Sequence, residues 1–293
     1  MGMSYTLRRI ARWSLLLVLL SACQALAMMY PTHSLAEDMA KDTSELPDRF
    51  MMRGGANFIW NADTNMRLSG ERGIGAIINY GDTLKGEETA TVPRVDAYFR
   101  FNDKHSIGFT WYRVGRDGLN AIDRSIDFGN VTFPIGAAVQ SSLNISLYEL
   151  YYNYSFYHNE KVELAASAGF YITEISGSLT AVTTVGSLIN AGTKSASDLL
   201  APLPQFGFLM RYYITPRLNT ELRANIFYVN VGSWTGSLAD LYIGMEYRLF
   251  KHFGIGGAVN RLNVNVEGPV GETATFKVDN SWNTAFVYGS FYF

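Results

Sequence analysis

The side chains of this 293-residue chain with chemistry to offer are four histidines, one cysteine and a set of charged residues recurring at alternate positions. A histidine can move a proton near neutral pH or ligate a metal. His33, His105, His158 and His252 nevertheless stand in polar, turn-like stretches, and neither a His-Glu-x-x-His helix nor a Gly-x-Ser-x-Gly elbow accompanies them. The charged set is Arg53, Arg94, Asp96, Arg100, Glu149, Glu163, Arg211, Arg217, Glu221, Arg223, Asp240, Glu246 and Arg248, seven cations against six anions. Gathered on one surface, they would form an ion-pair network or a charged path for small solutes. A net charge of -2 leaves no basic excess to neutralise phosphates, which speaks against a nucleic-acid partner. Glu71, Asp82, Glu87 and Glu88, then Asp117, Asp123 and Asp127, match no calcium-loop spacing and read as a solvated rim. No cofactor or metal is expected, and no catalytic residue is assigned.

The elements that must position those charges alternate with period two, the signature of strands with two unlike faces. From Leu218 to Tyr228, the positions Leu218, Thr220, Leu222, Ala224, Ile226 and Tyr228 oppose Arg217, Asn219, Glu221, Arg223 and Asn225. Ala239, Leu241, Ile243, Met245, Tyr247 and Leu249 oppose Asp240, Tyr242, Glu246 and Arg248, and the same contrast recurs around Phe50–Trp60, Val95–Phe101 and Val162–Ile172. The apolar faces end in aromatics such as Trp60, Trp111, Tyr148, Tyr152, Tyr154, Phe156 and Tyr228, as the girdles of a membrane barrel do. Charged residues are only 17% of the chain, and beyond residue 50 no stretch is apolar enough for a helical span.

Tight polar connections at Asn102-Asp103, His158-Asn159-Glu160, Thr215-Pro216 and Lys251-His252 alternate with longer or Gly/Ser/Thr-rich ones, notably 116–138, 183–200 and 267–272. Short periplasmic turns and long outer loops are the usual barrel arrangement. The reading is an all-β fold, a single antiparallel transmembrane barrel over 50–293, with ten strands and twelve as the alternative. Segments 64–80 and 119–133 are taken as strand extensions above the membrane.

Ahead of the barrel, Arg8, Arg9 and Arg12 precede the apolar run Trp13 to Leu20, an export signal expected over 1–36. Cleavage after Ala27 or Ala36 and lipidation at Cys23, in Leu20-Ser21-Ala22-Cys23, remain alternatives. Residues 37–49 read as a periplasmic leader.

The C-terminal strand ends Phe286-Val287-Tyr288-Gly289-Ser290-Phe291-Tyr292-Phe293, which resembles the outer-membrane assembly signal, with Phe291 and Phe293 as its aromatic positions. That signal as usually written has the glycine one position earlier than Gly289. The stretch Pro93 to Arg116, with His105 and Trp111-Tyr112-Arg113, also resembles uncharacterised proteobacterial outer-membrane barrels. The resemblance implies a location in a Gram-negative outer membrane. Barrel enzymes such as omptin-like proteases, lipid A deacylases and outer-membrane phospholipases place a catalytic histidine at the outer rim or membrane surface, whereas His105, His158 and His252 fall at the periplasmic turns. The function expected is a structural or narrow small-solute channel role, with a lipid- or lipid A-directed enzyme and a surface adhesin as alternatives. Expected partners are outer-membrane lipid and lipopolysaccharide, the barrel-assembly machinery and periplasmic chaperones, for a monomer.

Deleting Phe293 is expected to impair assembly while export continues. The measurement is the amount of heat-modifiable folded protein in the outer membrane, and an unchanged amount would refute the reading of the C-terminal strand.

Overall fold

The computed structural model describes residues 49–69, 78–128, 131–182, 193–270 and 274–293. The segments expected to be an export signal and, up to residue 48, a leader lie outside them, as do His33, Cys23 and Glu71. One compact unit comprises 47–213 and 217–293.

Its strands are β1 (Phe50–Ser69), β2 (Ile78–Asn79), β3 (Ala90–Asn102), β4 (His105–Ala121), β5 (Ile126–Phe128), β6 (Val131–Phe133), β7 (Ala138–His158), β8 (Val162–Val182), β9 (Thr193–Tyr213), β10 (Leu218–Val231), β11 (Trp234–Phe250), β12 (Phe253–Val270) and β13 (Ala274–Tyr292). One short helix, α1 (Tyr80–Leu84), follows β2. Ten strands, β1, β3, β4 and β7 to β13, pair antiparallel in succession, and β13 returns to β1 to close a barrel. The closing seam runs from Met51↔Tyr292 to Ser69↔Thr275. At its end Phe50 N–H donates to the Phe293 carbonyl at 2.8 Å, and Phe293 N–H donates to that of Phe50 at 2.9 Å. Closure matters because a sheet edge left in hydrocarbon strands a row of unpaired backbone groups.

Asparagine side chains build two of the turns at the end where the chain enters and leaves the barrel. Asn102 Oδ1 accepts from the N–H groups of Lys104 (3.0 Å) and His105 (3.1 Å). Asn159 Oδ1 accepts from those of Lys161 (2.9 Å) and Val162 (2.8 Å). Such Asx turns replace the ladder bonds a reversing chain gives up. At the opposite end β10 and β11 are joined through Gly232, whose φ of +62° is one a glycine adopts without strain.

The strands run further than the alternation alone suggests. In β1 the register shifts between Trp60 and Asp63, where Asn61 adopts φ 52°. This bulge exchanges the faces, so that Arg53, Asn57 and Ile59 point inward below it and Ala62, Thr64 and Met66 above it. Of the two segments taken as extensions, 64–69 continues β1 and 119–121 continues β4. Ile126–Phe128 and Val131–Phe133 instead pair as the separate two-stranded β5–β6 sheet, and Tyr80–Leu84 is helical.

Two polarity patterns, mirror images of each other, divide the barrel across its axis. Toward the chain ends the outer face carries Phe58, Phe99, Phe109, Leu150, Tyr152, Phe208, Leu241 and Val287, all exposed, while the inner face buries arginines and carboxylates. Toward the other end the inner face becomes Leu143, Ile145, Ile175, Leu262, Val264, Phe276 and Val278, all buried. There the outer face turns polar, with Asp63, Arg113, Glu174, Arg261, Asn265 and Asp279. The apolar band spans Phe50–Trp60 on β1 and Leu218–Tyr228 on β10, close to the roughly 9–11 residues a tilted transmembrane strand needs. One half of the barrel is thus inside-out for hydrocarbon and the other half is built like a water-soluble barrel.

Leu241→Arg is expected to destabilise the inserted barrel by about 2–4 kcal/mol, whereas Asn265→Arg, outward but beyond the band, should cost about 0–1 kcal/mol. Denaturant titration in lipid vesicles checks this, and equal costs would refute the position of the band.

Candidate functional site

The inner face of the hydrocarbon-facing half holds the cluster most capable of chemistry. Alternation aims these side chains into the lumen, where hydrocarbon outside and a closed wall leave them only one another as partners. Three arise from direct neighbours: Glu163 on β8, Arg211 on β9 and Glu221 on β10 lie in register across adjacent strands. Arg211 donates to Glu163 at 3.0 Å and to Glu221 at 2.8 Å.

The remaining links lie within one strand, join neighbours or cross the barrel. From β1, Arg53 meets Glu221 through both terminal nitrogens, at 3.2 and 3.3 Å, and Glu246 through Nε at 2.8 Å. Arg100 of β3 reaches Glu163 at 2.7 Å, where Ser155 Oγ also donates, at 2.6 Å. Arg223 of β10 lies 3.3 Å from Glu221, 3.7 Å from Asp96 on the facing wall and 3.9 Å from Glu149 on β7. Asp96 itself holds Arg94 at 2.9 Å. Glu149 further accepts from Gln205 at 2.9 Å and Asn225 at 3.4 Å, and Asp240 accepts from Asn260 Nδ2. Aromatic rings fill the gaps: the Arg223 guanidinium lies 4.1 Å from the Tyr242 ring centroid, and that of Arg94 lies 5.0 to 5.5 Å from Phe286, Tyr112 and Tyr242. The space left among Arg53, Asp96, Tyr98, Arg100, Glu163, Arg211, Glu221 and Arg223 is water-sized.

Of the thirteen charges assigned to the inner face, Arg53, Arg94, Asp96, Arg100, Glu149, Glu163, Arg211, Glu221, Arg223, Asp240 and Glu246 are buried there. Two stand apart. Arg217 precedes β10 and is exposed, its carbonyl accepting from Arg248 N–H at 2.7 Å. Arg248 is half-buried near the turn, its guanidinium 4.0 Å from the Tyr292 ring centroid. At strand ends the barrel no longer encloses what the pleat turns inward.

One buried cation escapes a reading of the sequence that ends the strand near residue 115. Alternation in β4 continues through Tyr112, Val114 and Arg116, and Arg116 lies buried in the apolar half. Its partners are neutral: Thr64 Oγ at 2.8 Å, the Ala62 carbonyl at 3.1 Å and the Glu87 carbonyl, with the Tyr80 ring 4.7 Å away. Tyr80 donates to the Arg116 carbonyl, and burial raises its phenol above the ordinary range, keeping it a donor. Asn120 Nδ2 holds the Thr83 carbonyl at 2.9 Å. These bonds seat α1, with Tyr80 and Leu84 fully buried, inside the barrel mouth.

The described histidines cap the turn end. His105 Nδ1 contacts Tyr152 Oη, and His252 Nδ1 lies 2.9 Å from the Tyr292 carbonyl. Among the described residues no group of three or more His, Cys, Asp or Glu could hold a metal ion.

No family model matches the chain, and no curated protein matches it. Among solved structures it is similar to the outer-membrane protease OmpT of Escherichia coli, at 11% identity over 86% of this chain and 100% of that one, with a TM-score of 0.44. It is also similar to the outer-membrane protein OprG of Pseudomonas aeruginosa, at 12% identity over 83% and 95% with a TM-score of 0.37. The toluene transporter TodX of Pseudomonas putida gives 9% identity over 84% and 91%, with a TM-score of 0.36. These likenesses are of general architecture, and no site residue passes from those proteins to this chain.

Removing one partner from a buried pair leaves an uncompensated charge, at a cost of about 3–5 kcal/mol. Glu221→Ala, which takes one of two paired carboxylates from each of Arg53 and Arg211, is expected to lower stability by that order, while Glu160→Ala at an exposed turn should stay within about 0.5 kcal/mol. Heat-modifiability and urea titration compare them, and equal behaviour would refute a structural role for the network.

Proposed function

We propose that the chain is an integral protein of a Gram-negative outer membrane with a structural role, a closed barrel that anchors its outer half in the envelope. The observation carrying this reading is the set of ion pairs spanning the lumen, above all Arg223 between Glu221 and Asp96 and Arg53 between Glu221 and Glu246. A barrel of about eight strands is just filled by side chains, while aqueous channels belong to about sixteen or more. Ten strands lie near the filled end, and here two plugs act in series: the charged layer, then the apolar layer closed by α1. A small solute would have to break ion pairs in the first and enter a hydrocarbon-like core in the second.

Export through the periplasm by an N-terminal signal, assembly by the barrel machinery with periplasmic chaperones, and residence as a monomer among lipid and lipopolysaccharide all belong to this reading. The outward aromatic band supports it. A catalytic role is no part of it, since the described histidines lie at the turn end and the buried carboxylates are engaged with arginines and amides. The narrow-channel alternative draws on the same charged lumen and is separated by conductance.

In planar bilayers the refolded protein is expected to be electrically silent, with folding verified by a heat-dependent gel shift. Stable single-channel conductance that changes when Arg223 and Glu221 are neutralised would overturn the closed-lumen reading in favour of a solute path.

A further inference from the structure

The barrel wall is not equally sealed all round. Each strand pair on either side continues well up the barrel, but β9 and β10 pair only from Asn219↔Tyr213 to Ile226↔Phe206. Above that point β9 goes on pairing with β8 up to Thr180↔Thr193, and β10 goes on pairing with β11 up to Val231↔Trp234. Among the described residues the two strands have no ladder pairs with each other beyond Ile226 and Phe206.

The cause is written in two prolines. Extending the register would set Tyr228 against Pro204 and Asn230 against Pro202. Toward β8, Pro204 pairs with Phe170 and Pro202 with Ile172. A residue without an N–H occupies only the non-hydrogen-bonded kind of antiparallel pair, so the missing donors of both prolines face β10. The ladder therefore stops where β9 ceases to supply donors.

The break in the ladder is apolar inside and out. Its outer lips are among the most exposed apolar residues: Phe206 is 60%, Tyr228 68% and Ile226 69% exposed. Its floor is Leu203, buried over Gly236 where a β-carbon would come within 2.6 Å of Leu203 Cδ2, with half-buried Phe227 and Val229 beside it and Leu238 behind. A peptide strand would find the β9 edge stripped of donors at alternate positions. One acyl chain of a bilayer lipid finds what it needs: apolar side chains continuous with the lipid-facing band, and Tyr228 and Asn230 paired with β11 but without ladder partners on β9.

We propose that the cleft between β9 and β10 is a binding site for a single acyl chain of a membrane lipid, entered sideways from the bilayer. The proposal rests on the membrane-inserted reading above.

The test is photolabelling of the full chain in phosphatidylcholine vesicles doped with a phospholipid bearing a diazirine on one acyl chain, with labelled residues mapped by mass spectrometry. The expected result is label on Leu203, Phe227 or Val229 as well as on outward Phe208 and Leu222, with the inner-face label lost in the double variant Pro202→Val, Pro204→Val, whose restored N–H groups let the strands pair. Label on Phe208 and Leu222 alone in the native chain would overturn the acyl-chain site and leave membrane insertion standing, whatever the variant does. Inner-face label that persists undiminished in a folded double variant would also overturn it. Absence of label from Phe208 and Leu222 would instead refute the inserted reading on which it rests.

Discussion

Everything in this molecule answers one constraint: in hydrocarbon a polar group has nowhere to go but inward, and inward it must find a partner. The backbone meets it by closing the sheet, so that β13 pairs with β1 from Met51 to Ser69 and the two chain ends are tied by Phe50 and Phe293. The side chains meet it by pairing across the lumen. A ring of ten strands is narrow enough for Arg53 and Arg223 to touch carboxylates on distant strands, so the residues that balance charge also fill the space. A wider ring would need water between them.

The same constraint explains why the pattern inverts. Where the outer face leaves the lipid and meets water, Arg113, Arg261 and Asn265 take the outside, and the interior is free to become Leu262, Val264 and Val278. Arg116 is the exception that shows the rule's reach. Set in that apolar interior with no carboxylate in ion-pair contact among the described residues, it gathers carbonyl and hydroxyl oxygens and the Tyr80 ring, and in doing so pins the segment from Tyr80 to Glu87 into the mouth. A buried guanidinium bonded to neutral oxygens holds its neighbours because leaving it bare costs more than ordering them.

How much of this was legible in the sequence follows from what each signal encodes. Period-two alternation assigns a side chain to a face, and the strand order and the number ten follow from it and from the tight turns. It assigns no partner: that Arg211 stands in register with both Glu163 and Glu221 depends on stagger around the ring, and that Arg53 reaches Glu221 depends on the ring's width. Nor does it carry past a break in phase. The bulge at Asn61 makes β1 seem to end eight residues early, and at Arg217 and Arg248 an inward-pointing position ceases to mean an enclosed one. Helix α1 is five residues long and takes its shape from Asn79, which caps it through Asp82 N–H at 2.7 Å, and from the wall it sits against.

Pro202 and Pro204 show the reverse case, in which local sequence decides a long-range feature outright. Spaced two apart, both lack the donor on the same side of the strand, so whichever neighbour lies on that side must be given up. Toward β8 the ladder survives; toward β10 it stops at Phe206. This interruption of the wall lies where Tyr228 and Trp234 mark its approach to the water, and apolar groups line both sides of the break. A barrel can carry such a break near its rim because interfacial water and lipid esters satisfy what the missing strand pairs would have, and deeper in the band no such partner exists.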